Sequence, residues 1–280
     1  MQKMNAQIFW SIIYAAIGGL IFILGLNLLR LIPEKLQDGY KIGLPVILLI
    51  AYLISKKYSP NQKTAFLAFF LVSVGWAVDY YLTGRIKSLF FLSTKELSGF
   101  AYTMIISTLL VSGPVIIGWL ISGQKLSSLF IQNSKKTWGI VVGIAGLLLF
   151  GGLGVLQSLN QGLVIKAIGI AIPLALVFSL ANGFREELVY RAVFIKGFQA
   201  NIGVVATIIV TTFVFTLAHI DVSYTPASQI IFTIVLVLIG VVGSLIMIKT
   251  GSLIGSVLFH AGADILLIMG MLSSQQLMIK

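Results

Sequence analysis

The chain has no cysteine, only two histidines and only eight acidic residues in 280 positions. Without Cys there is no disulfide, no thiolate nucleophile and no Cys-ligated metal, although compartment stays open. Charged residues of both signs make up 10% of the chain against 58% hydrophobic. That is too little charge to cover a soluble domain, where about a quarter of residues are charged. The short alternating segments of a membrane β-barrel are missing as well. Present instead are apolar runs close to twenty residues long, recurring from end to end, with a mean hydropathy of +1.05. Each run can cross roughly 30 Å of hydrocarbon as a helix. Lipid forces every backbone polar group into an internal hydrogen bond, so the fold class is all-α: a polytopic, multi-pass membrane protein.

The net charge of +11 arises from 19 Lys and Arg. These residues sit between apolar runs, where they meet anionic lipid headgroups. The bilayer is therefore the expected partner, and nucleic acid is not. The N-terminal stretch "MQKMNAQIFWSIIYAAIGGLIFILGLNLL" carries one early Lys and an apolar run too long for a signal-peptide core. It reads as a retained first helix.

Apolar length places spans at about Gln7–Leu29, Thr64–Leu82, Ser98–Ile121, Trp138–Leu156, Leu163–Ala181, Gly203–Ile220, Gln229–Ile248 and Ser252–Leu272. A shorter run, Ile42–Ser55, is bracketed by Lys41 on one side and Lys56 and Lys57 on the other, and borrows length from its flanks. The total is eight or nine, with a half-span at Phe184–Phe198. Loops on the N-terminal side of nine spans carry Lys56, Lys57, Lys63, Lys125, Lys135, Lys136 and Lys249, plus the cluster near Arg185, against Arg30, Lys35, Lys41, Arg85, Lys87 and Lys95 on the opposite side. That bias favours a cytoplasmic N-terminus, and it reverses if the short run does not span. Composition divides the chain into a transmembrane scaffold, residues 1–155, and a site-bearing helical bundle, residues 156–280.

An ionisable residue at membrane depth is costly, several kcal/mol on insertion scales, and is a functional candidate by default. Both histidines, His219 and His260, and three of the eight acids, Glu186, Glu187 and Asp264, fall within or against apolar helices of the second part. His260 and Asp264 are four apart, as are Phe215 and His219, and Glu187 and Arg191. Residues four apart share a helix face. Glu186 points to a neighbouring face. A hairpin turning at "QANIG" has arms that each rise roughly 22–26 Å, which returns His219 to the depth of Glu186. The last helix can then bring His260 and Asp264 to them. Each element alone has a structural explanation: an interfacial His, a charged helix start, a packing hydrogen bond. Arg185 reads as a helix-end charge. Jointly, at one depth, the elements read as a functional site.

"EELVYR" (Glu186, Glu187, Arg191), "FTLAH" (Phe215, His219) and "HAGAD" (His260, Asp264) together resemble the signature of the CPBP family, also called Abi or CAAX-protease-like. Its pattern is E-E-x-x-x-R, F-x-x-x-H and H-x-x-x-N/D in that order. The resemblance covers roughly residues 160–272. It implies an intramembrane endopeptidase, similar to the enzymes that remove the last three residues of prenylated CAAX proteins. Bacterial members are linked to bacteriocin self-immunity and peptide maturation. By that resemblance Glu186 activates the attacking water, with His219 helping to orient it. His260 and Asp264 stabilise the oxyanion, and Glu187 and Arg191 shape the site. Peptide hydrolysis needs such a base and such a donor. Where Asn is common this chain has Asp264, which can donate when protonated, orient His260 or ligate a metal. Glu186, His219, His260 and Asp264 form a donor set that suits Zn²⁺, and a metal-free glutamate mechanism uses the same residues. The expected substrate is a membrane-associated peptide or protein. Two other readings are an immunity or regulatory scaffold that binds membrane partners, disfavoured because no motif residue is lost, and an ion-coupled transporter, disfavoured because the polar residues cluster in one third of the chain.

Overall fold

The computed structural model describes residues 2–26, 30–133, 136–220 and 229–279. Within these residues the chain is helical throughout: α1 (Gln2–Gly25), α2 (Glu34–Tyr58), α3 (Lys63–Leu89), α4 (Leu97–Ile121), α5 (Thr137–Asn160), α6 (Ile165–Glu186), α7 (Val193–Leu217), α8 (Gln229–Thr250) and α9 (Ile254–Ser273). A 3₁₀ turn, Leu126–Leu129, and a π turn, Glu187–Ala192, complete the list. Eight stretches among the described residues are long and apolar enough to cross a membrane, with Ile165–Leu217 counting as one. The end of the first expected span at Leu29, and Lys135 of the charge bias, lie outside the described residues.

The short run Ile42–Ser55 is the centre of the 25-residue helix α2, which extends into Glu34, Lys35, Lys56 and Lys57 at its ends. The expected breaks before Phe184 and after Ala181 are absent, because α6 continues without interruption through the π turn into α7. The break that does occur is at Gly203, with φ 79° and ψ 172° inside α7. Positive φ is open to glycine at little cost. A straight helix from Glu186 to His219 would span roughly 50 Å at 1.5 Å per residue, yet the two side chains approach within 3.5 Å. The chain therefore doubles back at Gly203, inside the "QANIG" stretch, and forms the hairpin the spacing predicts.

Two apolar clusters hold the bundle. The larger joins α1, α3 and α4 to the π turn and α7, α8 and α9; the smaller joins α4, α6, α9 and the C-terminal segment. In the first, Phe198 stacks on Tyr14 of α1 at 4.5 Å and on Phe194 of its own helix at 5.0 Å, and Phe22 of α1 lies against Tyr190 at 4.4 Å. Glycines let backbones touch, as expected where lipid supplies no hydrophobic drive between helices. A Cβ at Gly143 of α5 would lie 2.5 Å from Gly255 O, and one at Gly262 of α9 would lie 2.5 Å from Gly146 O. α9 is thereby fixed against α5. Large apolar side chains such as Leu148, Val205 and Ile209 stay exposed along the helices, which is the surface a bilayer would cover.

Candidate active site

The π turn sets the two adjacent glutamates apart. In Glu187–Ala192 the Val193 N–H bonds the carbonyl of Leu188, five residues back. Such wide turns recur at functional positions. Glu187 turns toward α8 and α9, where it is fully enclosed. Its Oε1 pairs with Arg191 Nη1 and accepts from His260 Nδ1 at 2.8 Å, and its Oε2 accepts from Ser256 Oγ. Arg191 is enclosed as well, with Nε on Gly240 O at 3.4 Å and its guanidinium 4.3 Å over the Phe215 ring. Gly243 makes room for this cluster, since a Cβ there would lie 2.6 Å from Ser256 Oγ and 3.2 Å from Glu187 Oε2.

Glu186 faces the other way. Its Oε1 lies 3.3 Å from Arg185 Nη2. Its Oε2 is buried, makes no hydrogen bond, and lies 3.5 Å from Nε2 of both His219 and His260. The spacing of Phe215 and His219 has a direct local use: His219 Nδ1 lies 2.8 Å from Phe215 O. A carbonyl only accepts, so Nδ1 carries the hydrogen and Nε2 is the atom turned to Glu186. His260 is set in the same manner by Glu187. On α9, Asp264 lies one turn beyond His260, with Oδ1 3.7 Å from His260 Nε2 and Oδ2 accepting from Asn182 Nδ2 at 3.0 Å. It is Glu187, not Asp264, that holds His260 Nδ1.

All six residues singled out in the sequence thus come together at one place. Four others join them. Arg185, read as a helix-end charge, is buried and bonds Asn182 Oδ1 and Ser107 Oγ, each at 2.7 Å. Asn182, Arg185 and Glu186 share a face of α6 through spacings of three and four, a signal present in the sequence. Ser107 and Trp76, the latter 5.1 Å from the Arg185 guanidinium, come from α4 and α3 and carry no such signal.

A tetrahedral Zn²⁺ with ligands at about 2.1 Å separates them by roughly 3.4 Å, close to the two 3.5 Å contacts of Glu186 Oε2. Among the described residues, however, no group of three or more His, Asp or Glu side chains converges as a metal centre. As arranged, Glu187 holds His260 and Asn182 holds Asp264, while Glu186 Oε2 has no hydrogen-bond partner.

Residues 167–266 match the family model described as type II CAAX prenyl endopeptidase Rce1-like. This segment belongs to the CPBP family. With eight membrane-length helices among the described residues, the chain is a multi-pass membrane protein, and its residues 167–266 are similar to the CAAX-protease type. All six site residues lie inside the matched segment. No curated protein and no solved structure gives a significant match.

Proposed function

We propose that this protein is an intramembrane endopeptidase that hydrolyses a peptide bond of a membrane-associated peptide or protein with water activated by Glu186. The observation that carries this reading is the Glu186 carboxylate, with one oxygen tied to Arg185 and the other, unpaired and buried, facing the Nε2 atoms of His219 and His260. A water bound between Glu186 Oε2 and His219 Nε2 would donate one hydrogen to each. Glu186 takes the water proton as the oxygen attacks the carbonyl carbon, which is general base catalysis at the reach it requires. His260, acting as an imidazolium with its Nδ1–H held on Glu187, presents Nε2–H to the oxyanion that forms and keeps both hydrogens through the cycle. Collapse of the tetrahedral intermediate breaks the C–N bond, and Glu186 returns the proton to the departing amine. Every proton is accounted for by these side chains.

An apolar cleft of about 420 Å³ between α6, α9 and the segment after the 3₁₀ turn supports a hydrophobic substrate. It lies within the usual size range of ligand pockets. Phe184 and Val257 line it, two residues before Glu186 and one turn before His260.

The test is cleavage by the purified full-length protein of a farnesylated CAAX-type peptide and of an unprenylated transmembrane peptide. Wild type is expected to cleave at least one of them. Glu186→Ala and His219→Ala are expected to insert normally and to lose activity by a factor of about 10³ or more, the scale of a lost base or positioned donor. Full activity in Glu186→Ala overturns the mechanism. Dialysis against a strong chelator is expected to leave activity intact; loss restored by Zn²⁺ would show that a metal takes part.

A further inference from the structure

We infer that Asn182 and Arg185 are positioning residues that set two carboxylates of the site, Glu186 and Asp264, an inference that rests on the hydrolytic reading of Glu186. Each carboxylate has one oxygen bound to this pair and the other turned to the same ring nitrogen. Glu186 Oε1 lies 3.3 Å from Arg185 Nη2, while Glu186 Oε2 lies 3.5 Å from His260 Nε2. Asp264 Oδ2 accepts from Asn182 Nδ2 at 3.0 Å, while Asp264 Oδ1 lies 3.7 Å from His260 Nε2.

The pair is itself fixed. A guanidinium only donates, so the Asn182 Oδ1 that accepts from Arg185 Nη2 at 2.7 Å leaves Nδ2 as the end turned to Asp264. Arg185 is anchored in turn by Ser107 Oγ at 2.7 Å and by the Trp76 ring 5.1 Å away. The relay from Ser107 through Arg185 and Asn182 reaches Asp264 directly, and Arg185 alone reaches Glu186. Asn182 is 7% exposed and Arg185 9%, so water competes little for these bonds. Neither residue reaches the reacting atoms; both act through the carboxylates.

The arrangement makes an asymmetric forecast. Of the two histidines only His260 lies within 4 Å of an Asp264 oxygen, whereas both lie within 4 Å of Glu186. The chain has two histidines, so ring signals of histidine-labelled full-length protein in detergent are assigned by comparison with His219→Gln. Asn182→Ala is expected to shift the His260 ring signals more than those of His219, because His219 feels the change only through Arg185 and Glu186. Arg185→Lys is expected to shift both, and Ser107→Ala to shift both by less. Ser112→Ala, which removes a buried hydroxyl without a hydrogen-bond partner, is expected to shift neither.

On the farnesylated peptide, Asn182→Ala and Arg185→Lys are expected to lower kcat about 10- to 100-fold, the usual size of an outer-shell loss, with KM nearly unchanged. Unmoved His260 signals in a folded Asn182→Ala protein, or a raised KM with wild-type kcat, overturn the inference. If Arg185→Lys does not fold, Asn182→Ala and Ser107→Ala decide the matter alone. If wild type cleaves neither peptide, the hydrolytic reading fails, and the ring signals still decide whether the pair sets the carboxylates.

Discussion

Glu187 and Arg191 show how a charge survives at membrane depth. Glu187 spends its two oxygens on Arg191, His260 and Ser256, and Arg191 lays its guanidinium over the Phe215 face and points Nε at Gly240 O, with Nη2 left without a hydrogen-bond partner. Removing one member of a buried pair leaves the other uncompensated, at a cost of about 3–5 kcal/mol. Glu187→Ala is therefore expected to lower the thermal unfolding midpoint strongly in detergent, or to prevent folding. Glu186→Ala removes one long contact to Arg185, which keeps Ser107, Asn182 and the Trp76 face, and an oxygen that makes no hydrogen bond, and is expected to cost activity with less loss of stability than Glu187→Ala. A pair of melting curves separates the two roles, which one-letter spacing does not: adjacent glutamates look alike in the sequence.

At the scale of elements, the placement of α9 decides where His260 and Asp264 sit. A Cβ at Gly262, midway between them, would come within 2.5 Å of Gly146 O and 2.8 Å of Leu147 Cα. Backbone cannot yield as a flexible side chain can, so Gly262→Ala must push α9 from α5. A displacement near 1 Å at reacting groups costs on the order of 10²-fold in rate. Gly262→Ala is expected to lose activity on that scale, whereas Gly152→Ala, with nothing within 4 Å of its Cβ, is expected to keep it; parallel peptide-cleavage assays check both. The other decisive element is the hairpin. Its two arms were legible from the distance between Glu186 and His219, because helix rise is constant. The continuity of α6 into α7 was not legible, because an apolar run shows no mark where a helix passes through a π turn.

For the whole molecule, the first half does more than fill the membrane. α1 packs on α7, where a Cβ at Gly18 would lie 2.7 Å from Val214 Cγ2. α3 and α4 send Trp76 and Ser107 to Arg185. Cut in the turn after α5, residues 163–280 produced alone would leave the rings of Phe194 and Phe198 without Tyr14 and Phe69. That piece is expected to aggregate or to lack activity, and co-expression with residues 1–162 is expected to restore it; size-exclusion profiles and peptide cleavage read the result.

By itself the sequence determined that this is an all-helical membrane protein, because hydropathy over twenty residues reports a transfer free energy that needs no partner. It also singled out six residues that the fold brings together, since a charge or imidazole in hydrocarbon is conspicuous and helix spacing places it on a face. Only the tertiary structure decided that Glu187 is locked in an ion cluster while Glu186 keeps a free oxygen. It likewise decided that Glu187 rather than Asp264 holds His260 Nδ1, and that Arg185 and Asn182 belong to the site. Those outcomes depend on which helices touch and at what rotation. Contacts such as Ser107 with Arg185, 78 residues apart, leave no periodic trace along the chain.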